Sequence, residues 1–256
     1  MRAFRCIRSR SLLIAVALST FAGAAQAGTI TFDEPLLALV HGEVVDTDFA
    51  GVTIRAVNPN KSFDLAVVFD TTRMGTSDPD LEDPFTAGNA AGETLGNALI
   101  VAENDTGCGD DVCNDPDDEG PNPPTLLGFV LEFTGDVESF SLTAIDLESA
   151  QAAGGSLTFF DDGAQVGQVF FSEFECAVGP YCDPTVDFAG DHSANRLPAV
   201  TAAALGLAGF FDEVHIDLNG SGAIDELAWT PVPEPATLWL LAAGFFALRR
   251  RATPRG

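Results

Sequence analysis

The chain has 256 residues, with 38 acidic and only 12 basic side chains, a formal net charge of −26. Phosphate recognition needs clustered Lys and Arg, so nucleic acid and anionic lipid are poor partners. The imbalance is sharper in the middle: residues 1–27 and 232–256 hold eight of the basic residues and a single acid, Glu234, which leaves four basic against 37 acidic residues, about −33, between positions 28 and 231. Divalent cations, neutral sugars and plain solubility in salty water stay open.

The chain opens with Arg2, Arg5, Arg8 and Arg10, runs through the apolar stretch SLLIAVALSTFAGAAQA and ends it on Ala25, Gln26 and Ala27. A basic start, a short greasy middle and an A-x-A site are the three parts of a secretory signal peptide, so residues 1–27 are read as a signal-peptide helix cleaved after Ala27. A buried first helix would have no use for four arginines without an acid among them.

The middle, residues 28–231, reads as strands separated by Gly, Pro, Asn and Asp turns, with almost no helical periodicity. Candidate strands are TITF (29–32), GVTIRAV (51–57), FDLAVVFD (63–70), NALIVAE (97–103), GFVLEFT (128–134), SFSLTAIDL (139–147), SLTFFD (156–161), QVGQVFF (165–171), EVHIDL (213–218) and AIDELAWT (223–230). Val214, Ile216 and Leu218 alternate with polar residues, as do Phe140, Leu142 and Ala144, the pattern of a sheet with one buried face. Twenty Phe against one Tyr and two Trp suit a sandwich interior better than an aromatic binding platform. These features predict an all-β fold: one antiparallel β-sandwich domain, jelly-roll-like. The Ala-rich stretch 197–207 is read as a helical turn or a strand, and 105–124 as a disulfide-closed surface loop.

Of the five cysteines, Cys6 leaves with the signal peptide, and the others fall into two close pairs, Cys108 with Cys113 and Cys176 with Cys182. In an oxidising compartment this favours two local disulfides. Zinc is the rival reading, although C-x4-C and C-x5-C are looser than the usual zinc knuckles.

The last residues read VPEPATLWLLAAGFFALRRRATPRG, where an apolar run of thirteen, 236–248, is followed by Arg249, Arg250 and Arg251. That run is short of the roughly 20 residues a helix needs to cross the bilayer, and the arginines prefer the cytoplasmic side. Pro233 and Pro235 keep the preceding chain extended and accessible. Pro233-Glu234-Pro235, a short hydrophobic helix and a terminal arginine cluster together resemble the PEP-CTERM sorting signal, about 25 residues of this chain. The resemblance implies recognition by exosortase, a membrane cysteine-transpeptidase-like enzyme, in a Gram-negative bacterium with exopolysaccharide or biofilm genes. It also implies export through the Sec machinery and transient anchoring in the inner membrane by a short transmembrane helix. A permanent single-span anchor is the alternative for residues 232–256.

Three acid-rich places invite calcium, which takes six to eight oxygens gathered on turns. They are SDPDLEDPF with Asp78, Asp80, Glu82 and Asp83; DDVCNDPDDEG with Asp110, Asp111, Asp115, Asp117, Asp118 and Glu119; and DLNGSGAIDEL with Asp217, Asn219, Asp225 and Glu226. The third approaches an EF-hand loop, but its twelfth position is Ala228 where a bidentate Glu is required. GSGAIDELAW instead resembles the closing strand of galactose-binding-like β-sandwich modules. That resemblance implies a structural Ca²⁺ shared by Asp33 or Glu34, after the first strand, and Asp225 on the last.

His41, His192 and His215 are scattered, and no nucleophile, zincin, P-loop or dinucleotide motif occurs in a credible context. The expectation is therefore no catalytic site and a non-enzymatic, exosortase-sorted surface or extracellular matrix protein associated with exopolysaccharide. A Ca²⁺-dependent carbohydrate-binding module is the alternative. A secreted glycan hydrolase with paired carboxylates is a third reading.

Overall fold

A computed structural model describes residues 27–45, 48–118 and 125–233. The expected signal peptide up to residue 26, Glu119, Glu234, Pro235, the expected tail helix and Arg249 to Arg251 lie outside the described residues. Those described fall almost entirely in one compact unit, residues 25–232.

Twelve strands follow one another: β1 Gly28–Ile30, β2 Asp48–Phe49, β3 Val52–Val57, β4 Ala66–Asp70, β5 Asn97–Val101, β6 Gly128–Ile145, β7 Ser156–Asp161, β8 Ala164–Phe170, β9 Ala194–Arg196, β10 Val200–Thr201, β11 Phe211–Asp217 and β12 Ala223–Pro231. Every strand pairing among them is antiparallel. The hydrogen-bonded order is β4-β5-β12-β6-β11-β7-β8, with β1 on β12, with β3, β9 and β10 on β6, and β2 on β3. The protein is an all-β sandwich, as the alternating segments imply.

Two cores organise it. The larger takes Val52, Ile54 and Ala56 of β3, Phe129 and Leu131 of β6, Leu157 and Phe159 of β7 and Val214 and Ile216 of β11. Phe159 meets Phe211 edge-on at 4.9 Å between ring centroids. The smaller core lies on the other side of β4 and β5: Ala66, Val68, Leu99 and Val101 enter the larger core, while Val67, Phe69, Ala98 and Ile100 enter the smaller one. Burial on both faces explains why AVVF and ALIV are unbroken apolar runs instead of alternating ones. Leu81, Phe85, Ala90 and Leu95 from the β4–β5 connection, and Cys113 from the disulfide loop, cover this second face.

The sequence reading differs from the fold at β6 and in where the helix lies. Segments 128–134 and 139–147 are one strand, β6, because Gly135 and Asp136 form a bulge and not a turn. Phe211 pairs with Val137 and Glu213 with Glu132, so residues 133–136 of β6 loop out against a single residue of β11. Thr134, Gly135 and Asp136 are accordingly exposed. The Ala-rich stretch contributes the two-residue β10 and a turn, in which Leu205 N–H donates to Thr201 O at 3.1 Å. Among the described residues the one α-helix, α1 Ser149–Gly154, lies instead after β6, where Gln151 Oε1 accepts the Glu148 N–H at 2.7 Å.

Candidate functional site

Both predicted disulfides are present, Cys108–Cys113 and Cys176–Cys182. The first closes a loop that is tied to the sandwich on either side: Val44 N–H donates to Asp111 O at 2.8 Å, Cys113 N–H to Gly42 O at 2.7 Å and Glu103 N–H to Asp117 O at 2.7 Å. A loop rich in Asp, Pro and Gly is thereby held as a fixed lid over the second core.

The first and last strands are neighbours, with Ile30 opposite Leu227. This brings the acids after β1 towards Asp225 on β12. Asp225 is fully buried; its Oδ1 accepts the Glu226 N–H at 2.6 Å, and its Oδ2 has no hydrogen-bond partner. Burial, with the charges of Glu226, Asp33 and Glu34 behind it, pushes its carboxyl up to about 9. Glu34 accepts the Thr31 N–H at 2.8 Å through Oε1, while its Oε2 is buried without a partner. Asp33 is exposed and accepts the Asn97 N–H at 3.1 Å.

The side chains divide at Asp225 because β12 is irregular there. The register with β6 shifts between Asp225 and Ala228, and Glu226 has a positive φ of 47°. The bulge sends Asp225 inward and Glu226 to Arg196, whose Nε and Nη2 donate to it at 2.6 and 2.8 Å. Burial raises the Glu226 carboxyl, but the hydrogen bonds from Arg196 and Thr143 hold it below its ordinary range. Arg196 also reaches Glu93 at 2.8 Å. Asp33, Glu34 and Asp225 thus feel one another's charge, but they do not form a cluster whose ligand atoms all lie within 4.8 Å.

Among the described residues, the cluster that does is Asp78, Asp117 and Asp118. Two acid-rich segments that are separate in sequence meet here, and the third contributes Gly222, whose N–H donates to Asp118 Oδ2. Asp146, which follows β6, is the neighbour that the sequence reading missed. It is buried, its Oδ1 has no partner, and burial with the charges of Asp78, Asp80, Asp191 and Glu148 raises its carboxyl to about 8. An acid directly after a long apolar strand was the available signal.

Other described acids of those segments serve local turns or solvent, except Asp83, whose carboxylate oxygens are buried and whose carboxyl is raised by that burial. Glu82 Oε1 accepts the Thr76 N–H at 2.6 Å and its hydroxyl at 2.8 Å. Asp217 Oδ1 accepts the Leu127 and Asn219 N–H groups. Asp110 and Asp111 are exposed with positive φ. The histidines are apart: His41 Nδ1 accepts the Asp70 N–H at 3.1 Å, His192 Nδ1 lies 3.2 Å from Glu82 O, and His215 contacts Glu213 and packs against Phe160.

Pro233 ends the described chain, exposed directly after β12. From there the sequence matches a family model: residues 231–252 fit the PEP-CTERM protein-sorting motif. The chain carries a PEP-CTERM sorting motif. It spans Pro233, Glu234, Pro235 and the arginines Arg249, Arg250 and Arg251. The motif marks an exported, cell-envelope-associated protein that exosortase processes. No curated protein matches the chain. Among the described residues no helix is long and apolar enough to cross a membrane.

Proposed function

We propose that the protein is a non-enzymatic extracellular matrix component of a Gram-negative biofilm, delivered by Sec export and exosortase and associated with exopolysaccharide. The sorting motif at residues 231–252 carries this reading. In it, the apolar run 236–248 holds the chain transiently at the inner membrane until exosortase acts beside Pro233-Glu234-Pro235. What is delivered is a disulfide-stapled sandwich with a strongly acidic surface, suited to a hydrated, ion-rich polymer. The lack of catalysis is supported by the three histidines, each of which is committed to a separate local contact. A structural Ca²⁺ at Asp225 with Glu34 and Asp33 belongs to the same reading, because Asp225 Oδ2 and Glu34 Oε2 are buried oxygens without partners.

That pairing of acids beside the first and last strands also favours a second reading, a Ca²⁺-dependent carbohydrate-binding module. A lectin places aromatics in an open concave face. Tyr181 and Trp229 are buried here, at 8% and 6% exposure, and offer little stacking surface.

Cell fractionation of a matrix-forming host, with and without its exopolysaccharide genes, tests the proposal. The protein should stay with the matrix in the first strain and pass to the medium in the second; equal retention in both would overturn the association. Turnover of purified matrix polysaccharide by the protein would overturn the non-enzymatic assignment. Calcium-dependent binding on a glycan array would favour the second reading.

A further inference from the structure

A second place in the molecule collects buried negative charge far more densely than the Asp225 region. Asp78 precedes the 3-10 turn Pro79–Leu81 in the β4–β5 connection, Asp117 and Asp118 close the Cys108–Cys113 lid, and Asp146 follows β6. Asp78, Asp118 and Asp146 are only 2, 5 and 7% exposed. Each carries one carboxylate oxygen with no hydrogen-bond partner: Asp78 Oδ2, Asp118 Oδ1 and Asp146 Oδ1. An isolated buried carboxylate is expensive, and several facing one another are more so unless a counter-charge joins them. The groups that face the cluster supply little. Asp80, Asp191 and Glu148 add negative charge to Asp146, and the nearby His192 contacts Glu82 O. Lys61, the sole lysine, is on the crevice beside Asp118 but pairs with Glu103 at 3.4 Å.

We propose that Asp78, Asp117 and Asp118, joined by Asp146, form a Ca²⁺ site that locks the disulfide lid and the β4–β5 connection onto the second core. Three observations support it. One carboxylate oxygen from each of the first three acids lies within 4.8 Å of the others; oxygens bound to one Ca²⁺ at 2.3–2.6 Å are at most about 5.2 Å apart. The donors are all hard oxygens on irregular chain, which suits Ca²⁺ and neither the His and Cys preference of Zn²⁺ nor the strict octahedron of Mg²⁺. A crevice lined by Asn58, Lys61, Glu103, Leu127, Leu218 and Gly222 opens beside Asp118.

This site is separate from the one at Asp225, and the two are separable by mutation. The full-length protein, purified in mild detergent and stripped with chelator, is titrated with Ca²⁺ by calorimetry and thermal melting. In Asp225→Asn, where this site alone remains, about 10 mM Ca²⁺ should raise the melting temperature by ~3 °C or more, as for an extracellular site of millimolar or tighter affinity. Asp78→Asn and Asp118→Asn, each built on Asp225→Asn, should lose the Ca²⁺ response, and should melt no lower than their chelated parent because each removes an uncompensated charge. A parent with no Ca²⁺ response would overturn the site, as would Asp78→Asn and Asp118→Asn variants that respond like the parent. Stability that depends on pH but not on metal would replace the ion with a proton shared between Asp78 and Asp118. Should these variants fail to fold, hydrogen exchange on the parent decides. Ca²⁺ should slow the Gly222 amide, which donates to Asp118, at least tenfold, and an unchanged rate would overturn the proposal.

Discussion

In chelator, the protein should lose stability as the pH rises through neutrality. The cause is a set of raised carboxyls, Asp225 at about 9, Asp146 at about 8 and Asp118 well above its ordinary range, against roughly 3.9 for an aspartate in the unfolded chain. A raised folded-state value means that the folded protein keeps a proton which the unfolded chain has already released. Stability therefore falls by about 1.4 kcal/mol per pH unit for each group, from about pH 4 until the folded value is reached. His41, which burial holds below its ordinary value, opposes this below about pH 6.5, so the clean window lies above that. The depressed carboxyls of Glu82, Asp183 and Glu226 act only near pH 4.5 and below. Between pH 6.5 and 7.5 Asp225 and Asp146 alone should cost about 2.7 kcal/mol, a large part of the 5–15 kcal/mol typical of a domain, and Asp118 adds to the fall with the same sign. Urea denaturation at both pH values, in EDTA, measures it. Asp225→Asn should remove about 1.4 kcal/mol of the fall, and saturating Ca²⁺ should abolish or reverse it, because metal ligands must be deprotonated. Stability that is flat or rises across this window in EDTA would refute the buried-carboxylate account.

Other expectations follow from packing and covalent structure. Replacing Cys108 and Cys113 together by Ser opens a loop with a sequence separation of 5, and chain entropy alone predicts a loss of about 2 kcal/mol, read from the shift in urea midpoint. The same treatment of Cys176 and Cys182, separated by 6, should cost a similar amount. Phe211→Ala removes a fully buried ring stacked edge-on against Phe159 and should cost about 3–5 kcal/mol. Arg196→Met leaves Glu226 and Glu93 without their shared guanidinium and should raise the Glu226 carboxyl, visible by NMR titration as a higher midpoint.

The parts of the molecule that the sequence made legible are those where a local pattern has one physical meaning. The C-terminal end could be read because a sorting tail is recognised by its order of charge and apolarity, with no tertiary contact involved. Alternation in EVHIDL and SLTFFD placed β11 and β7 because each has one face in the larger core. The long β6 was divided because Thr134, Gly135 and Asp136, exposed on a bulge, have the composition of a turn. β9 and β10, at three and two residues, are too short to show any period. The acid clusters were visible, but burial distinguishes Asp78 from Asp80 and Asp118 from Asp115, and burial is set by the second core beneath them. Asp146 was passed over because it stands alone after an apolar strand and joins its partners only when three loops converge.

The central claim, an exported protein delivered through its sorting motif, is tested most directly at the C-terminus. The chain would be expressed in a host with a functional exosortase and in the same host with the exosortase gene deleted, and the end of the mature protein would be read by intact mass spectrometry. The account expects a shortened, extracellular form that lacks the apolar run 236–248 and Arg249 to Arg251 in the first host. In the second it expects a full-length tail held in the membrane fraction. Identical C-termini and identical fractionation in the two hosts would contradict it.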